Sequence, residues 1–163
     1  MPKSSVDFFC LLETLAHYKI DFIIVGGVGA ILHGAPITTF DLDIVHSRHI
    51  DNVARLIEAL ESLDTIYRGQ FGRIIKPDAT ALLGLGHHLF ETKRGPLNVL
   101  GMIGKNRDYD RLFPYTVEMD LSGDLRVHTL DLKTLIAVKK ETFRDKDRVS
   151  LMFLQELLKE SSD

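Results

Sequence analysis

VGGVGAILHGAPITTFDLDIV, residues 25–45, is the stretch that decides how the chain folds. It opens on Gly26-Gly27, which ends the apolar run Phe22-Ile23-Ile24-Val25, and it closes on Asp41 and Asp43, separated by one leucine. A short continuous apolar run that stops at a tight turn is the pattern of a buried strand. Residues 28–33 then predict a short helix ended by Gly34 and Pro36. From Phe40 to Val45 the polarity alternates, so a second strand is expected, with Leu42 and Ile44 on one face and both aspartates on the other.

Carboxylates at i and i+2 of a strand project from the same face, about 6–7 Å apart along the chain. They repel each other unless something cationic sits between them. Hard oxygen ligands of this kind suit Mg²⁺, which keeps several waters and takes one or two protein carboxylates together with substrate phosphate oxygens. The glycine pair supplies the complement, because a glycine turn lets backbone N–H groups approach a phosphate and directs a helix N-terminus at it. Two other nucleotide motifs fail: Leu32 stands where a dinucleotide fingerprint needs its third glycine, and no Gly-Lys-Ser/Thr is present for a P-loop. The plainer alternative makes Gly26-Gly27 a mere strand-helix turn and the aspartates a solvated face. The spacing that joins the two motifs favours a metal-nucleotide site.

The remainder of the chain is read around that stretch. Its 163 residues are the size of one ordinary domain, with residues 1–128 expected as the core and 129–163 as a C-terminal helical addition. Residues 6–18 predict an amphipathic helix with Ser4 or Ser5 as its cap, and Ile50, Val53, Leu56, Ile57, Leu60 and Leu63 recur at helical spacing through 49–63. Strands are expected at 71–76, 87–92 and 96–102, the last two joined at Lys93-Arg94-Gly95. A hairpin is expected where 116–121 meets 124–128, and helices at 131–143 and 147–159.

Composition sets outer limits. Hydrophobic residues make up 45% and charged residues 26%, as in a globular protein. A formal charge of -3 argues against a protein that coats nucleic acid through charge alone. The lone Cys10 can form no internal disulfide, and no run is long and uncharged enough for a signal peptide or a membrane span, so a cytoplasmic location without membrane association is expected.

Gly26-Gly27, a short helix with His33-Gly34, and Thr39-Phe40-Asp41-Leu42-Asp43-Ile44 together resemble the signature of the nucleotidyltransferase superfamily, and particularly its small bacterial branch related to AbiEii-type toxin enzymes. The likeness continues through Gly95-Pro96-Leu97-Asn98-Val99-Leu100-Gly101, Tyr109 and Leu112, and through Leu135-Ile136, Lys139, Arg144 and Lys146-Asp147, covering nearly the whole chain. The resemblance implies a mixed α/β fold, a short central mixed sheet flanked by helices with a C-terminal helical pair. It also implies in-line attack of an acceptor hydroxyl, on RNA or protein, at the α-phosphate of a nucleoside triphosphate (NTP), with Mg²⁺ or Mn²⁺ as cofactor. By the same comparison Gly26, Gly27 and Thr39 hold the nucleotide, while Asp41 and Asp43 are the catalytic metal-holding pair. A partner protein, as in a toxin-antitoxin pair, belongs to the same set of implications.

Two positions depart from the pattern. The third carboxylate common in the superfamily falls on Asn98, whose carbonyl oxygen can still serve a cation but carries no charge and takes no proton in that role. The arginine often found two residues before Thr39 is Ile37. Asn98 therefore enters as a candidate metal ligand, with Glu91 as a substitute carboxylate, and it keeps a second function in view: a catalytically weak nucleotide-binding or regulatory module on the same fold. Lys139 shares a helix face with Leu132, Leu135 and Ile136, where it either reaches toward the triphosphate or packs its stem and turns its charge to water. Arg144, Lys146, Asp147 and Arg148 read as a solvated helix start more readily than as a basic contact. The seven histidines show no metal-ligand spacing, and His33 reads as a packed or capping residue.

Overall fold

A computed structural model describes residues 6–161. Strand β1 (Phe22–Val25) is buried along its whole length, as a four-residue apolar run requires. It is followed without a gap by α2 (Gly26–Leu32), after α1 (Phe8–His17). Asp7 caps α1, its carboxylate accepting from the Cys10 N–H at 3.0 Å, while the expected caps Ser4 and Ser5 lie outside the described residues. Next come β2 (Leu42–His46), α3 (Ile50–Ser62), β3 (Ile66–Tyr67) and α4 (Ala79–Leu82). The hairpin β4 (His87–Thr92) and β5 (Gly95–Leu100) turns at Lys93-Arg94, and Gly95 takes the positive φ of 118° that this turn needs. A two-stranded ribbon, β6 (Met102–Ile103) and β7 (Arg107–Asp108), leads through α5 (Tyr109–Leu112) to the second hairpin, β8 (Thr116–Ser122) and β9 (Leu125–Leu130). Helices α6 (Leu132–Glu141) and α7 (Arg148–Ser161) follow, linked by a 3₁₀ turn at Asp145–Asp147.

The main sheet has seven strands in the order β3-β4-β5-β2-β1-β9-β8. Its centre is mixed: β1 runs antiparallel to β2 and parallel to β9, and β2 runs parallel to β5. The flanking pairs β3–β4, β4–β5 and β8–β9 are antiparallel. The alternation read in the sequence sorts side chains to two cores. Ile24, Leu42, Ile44, Leu97 and Val99 pack with Leu11 and Leu15 of α1 and Leu56 and Leu60 of α3. On the opposite face Ile23, Val25, Val45 and Leu100 pack with Ala30 of α2, Leu135 and Ile136 of α6 and Leu154 of α7. Leu56 and Leu60 are fully buried, so truncating either to Ala costs about 2–5 kcal/mol.

The expected strand at 71–76 does not form. These residues belong to a loop in which Phe71, at φ 52°, is fully exposed and Ile74 is 74% exposed. The apolar residues Phe71, Ile74 and Ile75 are interrupted by Gly72 and the charged Arg73, and they find no partner strand. One backbone bond, Tyr67 N–H to the Ile75 carbonyl at 2.8 Å, ties it to β3. Among the described residues no helix is long and apolar enough to cross a membrane.

Candidate active site

Strand register brings the site together. Asp43 lies between Val25 of β1 and Asn98 of β5 in the sheet, and Val25 is followed at once by Gly26. Gly26 begins α2 at φ 68°, a left-handed conformation, and a Cβ there would run into the Asp43 carboxylate. Gly27 faces Thr39 in the same way, with a Cβ placed 2.7 Å from the hydroxyl oxygen. Gly26 is thus required by its left-handed backbone as well as by a close approach, and Gly27 by the close approach alone. Asp41 stands one residue before β2, half-buried, with Thr39 beside it and donating weakly to the Asp41 carbonyl at 3.4 Å.

The Asn98 amide joins the two carboxylates. Its Nδ2 donates to Asp41 Oδ2 at 2.9 Å and to Asp43 Oδ1 at 2.7 Å. Its Oδ1 accepts from Arg68 Nη2 at 2.9 Å, while Arg68 Nη1 donates to the Phe90 carbonyl at 2.8 Å. The orientation of the amide follows from its neighbours: carboxylates only accept, a guanidinium only donates, so nitrogen must face the aspartates and oxygen the arginine. The oxygen that the expected ligand role would use is thereby turned toward Arg68. Sequence reading missed Arg68 altogether. It stands directly after a two-residue strand, and its backbone N–H continues the β3–β4 pairing by donating to Leu89 O at 2.9 Å.

Burial pushes the Asp43 carboxyl up from 3.8 to about 6, and the neighbouring Asp41 charge adds to the rise; the Asn98 hydrogen bond and the charges of Lys139 and Lys146 oppose it. The site is short of positive charge at one point, and the amide nitrogen marks that point. A divalent cation there would meet one oxygen from each aspartate, which is a donor set suited to Mg²⁺ or Mn²⁺ sharing its remaining positions with water and phosphate. Two aspartates are all the charged ligands on offer, since no cluster of three or more His, Cys, Asp or Glu is arranged for a metal among the described residues.

The cleft is also lined by basic side chains. Gly26, Gly27, Thr39, Asp41, Asp43 and Asn98 share a cavity of about 670 Å³ with Arg68, Lys139, Arg144 and Lys146. Lys139 neither snorkels to open water nor stands free: its ammonium lies 3.6 Å from Asp147 Oδ1, both side chains about 15% exposed. Asp147 Oδ2 accepts from the Arg144 N–H at 3.0 Å and so caps the 3₁₀ turn that carries Lys146 into the cleft. Arg144 and Lys146 are exposed, as a solvated helix start expects, and with Asp147 they also line the cavity. Ile37 also lines it.

Other candidates fall outside. Glu91 is exposed on β4 opposite Pro96, and Leu89, not Glu91, pairs with Asn98. His33 Nε2 bonds the Leu130 carbonyl at 2.7 Å, tying α2 to β9. His46 is fully buried, its two ring nitrogens against the Leu82 and Leu100 carbonyls, and burial holds its pKa below the ordinary value.

No family model and no curated protein matches the chain. Solved structures do. The crystal structure of the lincosamide antibiotic adenylyltransferase LnuA, lincomycin-bound, superposes with a TM-score of 0.64 at 12% identity, covering 94% of this chain and 99% of that one. The chain has a nucleotidyltransferase fold. A putative nucleotidyltransferase, TM1012 from Thermotoga maritima, agrees at a TM-score of 0.57 and 13% identity over 93% of this chain and 90% of the other. In this nucleotidyltransferase fold the glycine turn and the paired aspartates meet at the mouth formed by β1, β2 and β5.

Proposed function

We propose that this chain is a Mg²⁺- or Mn²⁺-dependent nucleotidyltransferase that moves a nucleoside monophosphate group from an NTP to a hydroxyl of an RNA or protein acceptor. The observation that carries the reading is the convergence of Asp41 Oδ2 and Asp43 Oδ1 on one point, within 2.9 Å of a single donor nitrogen, beside a glycine turn in a cavity also lined by basic side chains. In this reading the acceptor oxygen attacks the α-phosphorus in line, the bond to the β-phosphate oxygen breaks, pyrophosphate leaves, and the acceptor proton passes to solvent. When bound, the divalent ion supplies charge stabilisation at the reacting phosphate.

The chain's own residues do the rest. Asp41 and Asp43 hold the cation place. Gly26 and Gly27 leave room for a phosphate to lie against the backbone, with Thr39 beside them. Lys139, released from Asp147, and Lys146 balance the charge of the departing pyrophosphate. The AbiEii-like, toxin-antitoxin assignment rests on the sequence resemblance and belongs to this same proposal. LnuA, whose structure contains lincomycin, adds a small molecule as an acceptor class to be tried alongside RNA and protein.

A second reading has one specific observation behind it: Asn98 supplies neither a third negative charge nor a base, and its oxygen is engaged by Arg68. On that basis the chain binds metal and nucleotide and transfers slowly or not at all. Incubation with each α-labelled triphosphate, Mg²⁺ and cell extract separates the two. Label on a macromolecule, lost in Asp43→Ala, supports transfer; nucleotide-dependent stabilisation without label or pyrophosphate supports the binding module.

A further inference from the structure

We infer that Arg68 is a positioning residue that locks the Asn98 amide with its nitrogen on the paired carboxylates, so that the amide guards the cation place and is displaced when a divalent ion enters. This rests on the reading of Asp41 and Asp43 as the metal-holding pair.

Three hydrogen bonds on one side chain carry the argument. Asn98 is 8% exposed, and each end of its amide is satisfied: Nδ2 by Asp41 and Asp43, Oδ1 by Arg68. Turning the amide over would set oxygen against two carboxylates and NH₂ against a guanidinium, losing all three bonds at once. Arg68 is itself fixed at both ends of its reach, through Nη1 on the Phe90 carbonyl and through its backbone N–H on the Leu89 carbonyl. The lock therefore transmits the rigidity of the β3–β4–β5 edge to the point between the aspartates. Nδ2 stands 2.9 and 2.7 Å from the two carboxylates, distances at which no cation fits between nitrogen and oxygen. An ion that takes the same two oxygens, Asp41 Oδ2 and Asp43 Oδ1, displaces the nitrogen from both.

Two consequences follow. Without metal, the amide partly neutralises two carboxylates that would otherwise repel, and keeps them aimed at one point. With metal, Asn98 must withdraw against the pull of Arg68, so Arg68 opposes metal entry both through its charge and through the amide it holds. Replacing Arg68 frees the amide to withdraw or to present Oδ1 to the ion.

The test is a Mg²⁺ titration of ¹⁵N-labelled protein, read at the side-chain NH₂ of Asn98, assigned by its absence in Asn98→Ala. In metal-free wild type both amide protons are expected shifted downfield and slow to exchange with water, and Mg²⁺ is expected to abolish that signature in a saturable way. Arg68→Met is expected to speed amide exchange without metal and to tighten Mg²⁺ binding by about tenfold, the order expected for loss of one charge-assisted hydrogen bond from the competing state. Backbone resonances away from the cleft report that the variant keeps its fold. A fast-exchanging Asn98 amide in wild type, or one that Arg68→Met leaves unchanged, overturns the inference. So does a Mg²⁺ affinity that Arg68→Met leaves unchanged or weakens. If Mg²⁺ moves no resonance of the cleft, the metal reading of the aspartates fails, and the guarding role falls with it. A slow, downfield Asn98 amide in that case identifies the failure as one of the metal reading, since the Arg68 lock would still be in place.

Discussion

Replacing Asp43 by asparagine should stabilise the metal-free protein while removing its capacity to hold a divalent ion. The Asp43 carboxyl titrates at about 6 in the folded chain instead of 3.8, because it is desolvated and sits beside Asp41. A rise of roughly two units corresponds to ~3 kcal/mol by which folding opposes the charged form. The folded state binds the extra proton, so this group's contribution is most favourable below the unfolded value and is lost as pH rises from 3.8 through about 6. Asparagine carries no such penalty, and its oxygen can still accept from Asn98 Nδ2. At about pH 8 in chelator the variant should therefore melt higher by up to roughly 6–12 °C, taking 2–4 °C per kcal/mol for a chain of this size. The gain should fall to about half near pH 5 and disappear below the unfolded pKa. Paired thermal melts of wild type and Asp43→Asn across that range are the assay, since titrations of groups that do not interact with Asp43 cancel in the difference. A variant that melts lower at about pH 8, or a difference that does not change with pH, would refute the electrostatic account of the site.

Further outcomes are expected from the same geometry. Gly26→Ala places a Cβ against the Asp43 carboxylate at a positive φ, and should destabilise the fold by about 1–3 kcal/mol in denaturant titration; pairing it with Asp43→Ala should recover part of the loss. Lys139→Met should weaken Mg²⁺-triphosphate binding about tenfold by calorimetry while the circular dichroism spectrum stays native, and equal affinity would return Lys139 to a purely structural ion pair with Asp147. Asn98→Asp should bind Mg²⁺ more tightly than wild type, because a third charge joins the pair. In chelator it should lose less stability than three clustered carboxylates imply, because Arg68 would pair with the new charge; a large loss in chelator would show that Arg68 does not reach it.

Much of this arrangement was legible in the sequence because the deciding signals are local. An apolar strand ending in two glycines and an alternating strand through Asp43 need only neighbours in the chain; the first appears where the pattern puts it, and the second begins at Leu42, leaving Asp41 one residue before its start. Helix α3 follows its apolar spacing from Ile50 to Ser62 for the same reason. What depends on pairing between distant segments was not legible. The parallel register that sets Asp43 beside Asn98 was expected only from the family resemblance, and the β3–β4 edge that carries Arg68 to Asn98 thirty residues away was not expected; neither leaves a periodic trace. Phe71, Ile74 and Ile75 read as a strand because hydrophobicity alone cannot tell a buried run from an exposed loop, and in the fold no strand lies alongside to accept them. Arg144 and Lys146 show charge without direction until α6 and the turn after it fix where they lie.

The measurement that bears most directly on the central claim is calorimetric titration of wild type, Asp41→Ala and Asp43→Ala with a non-hydrolysable NTP analogue, each with Mg²⁺ and with chelator. The site described here predicts saturable binding to wild type that depends on Mg²⁺ and is lost in both variants while their folds persist. Binding that is equal in all three proteins, or that is indifferent to Mg²⁺, would contradict the assignment of Asp41 and Asp43 as the pair that holds a metal-nucleotide.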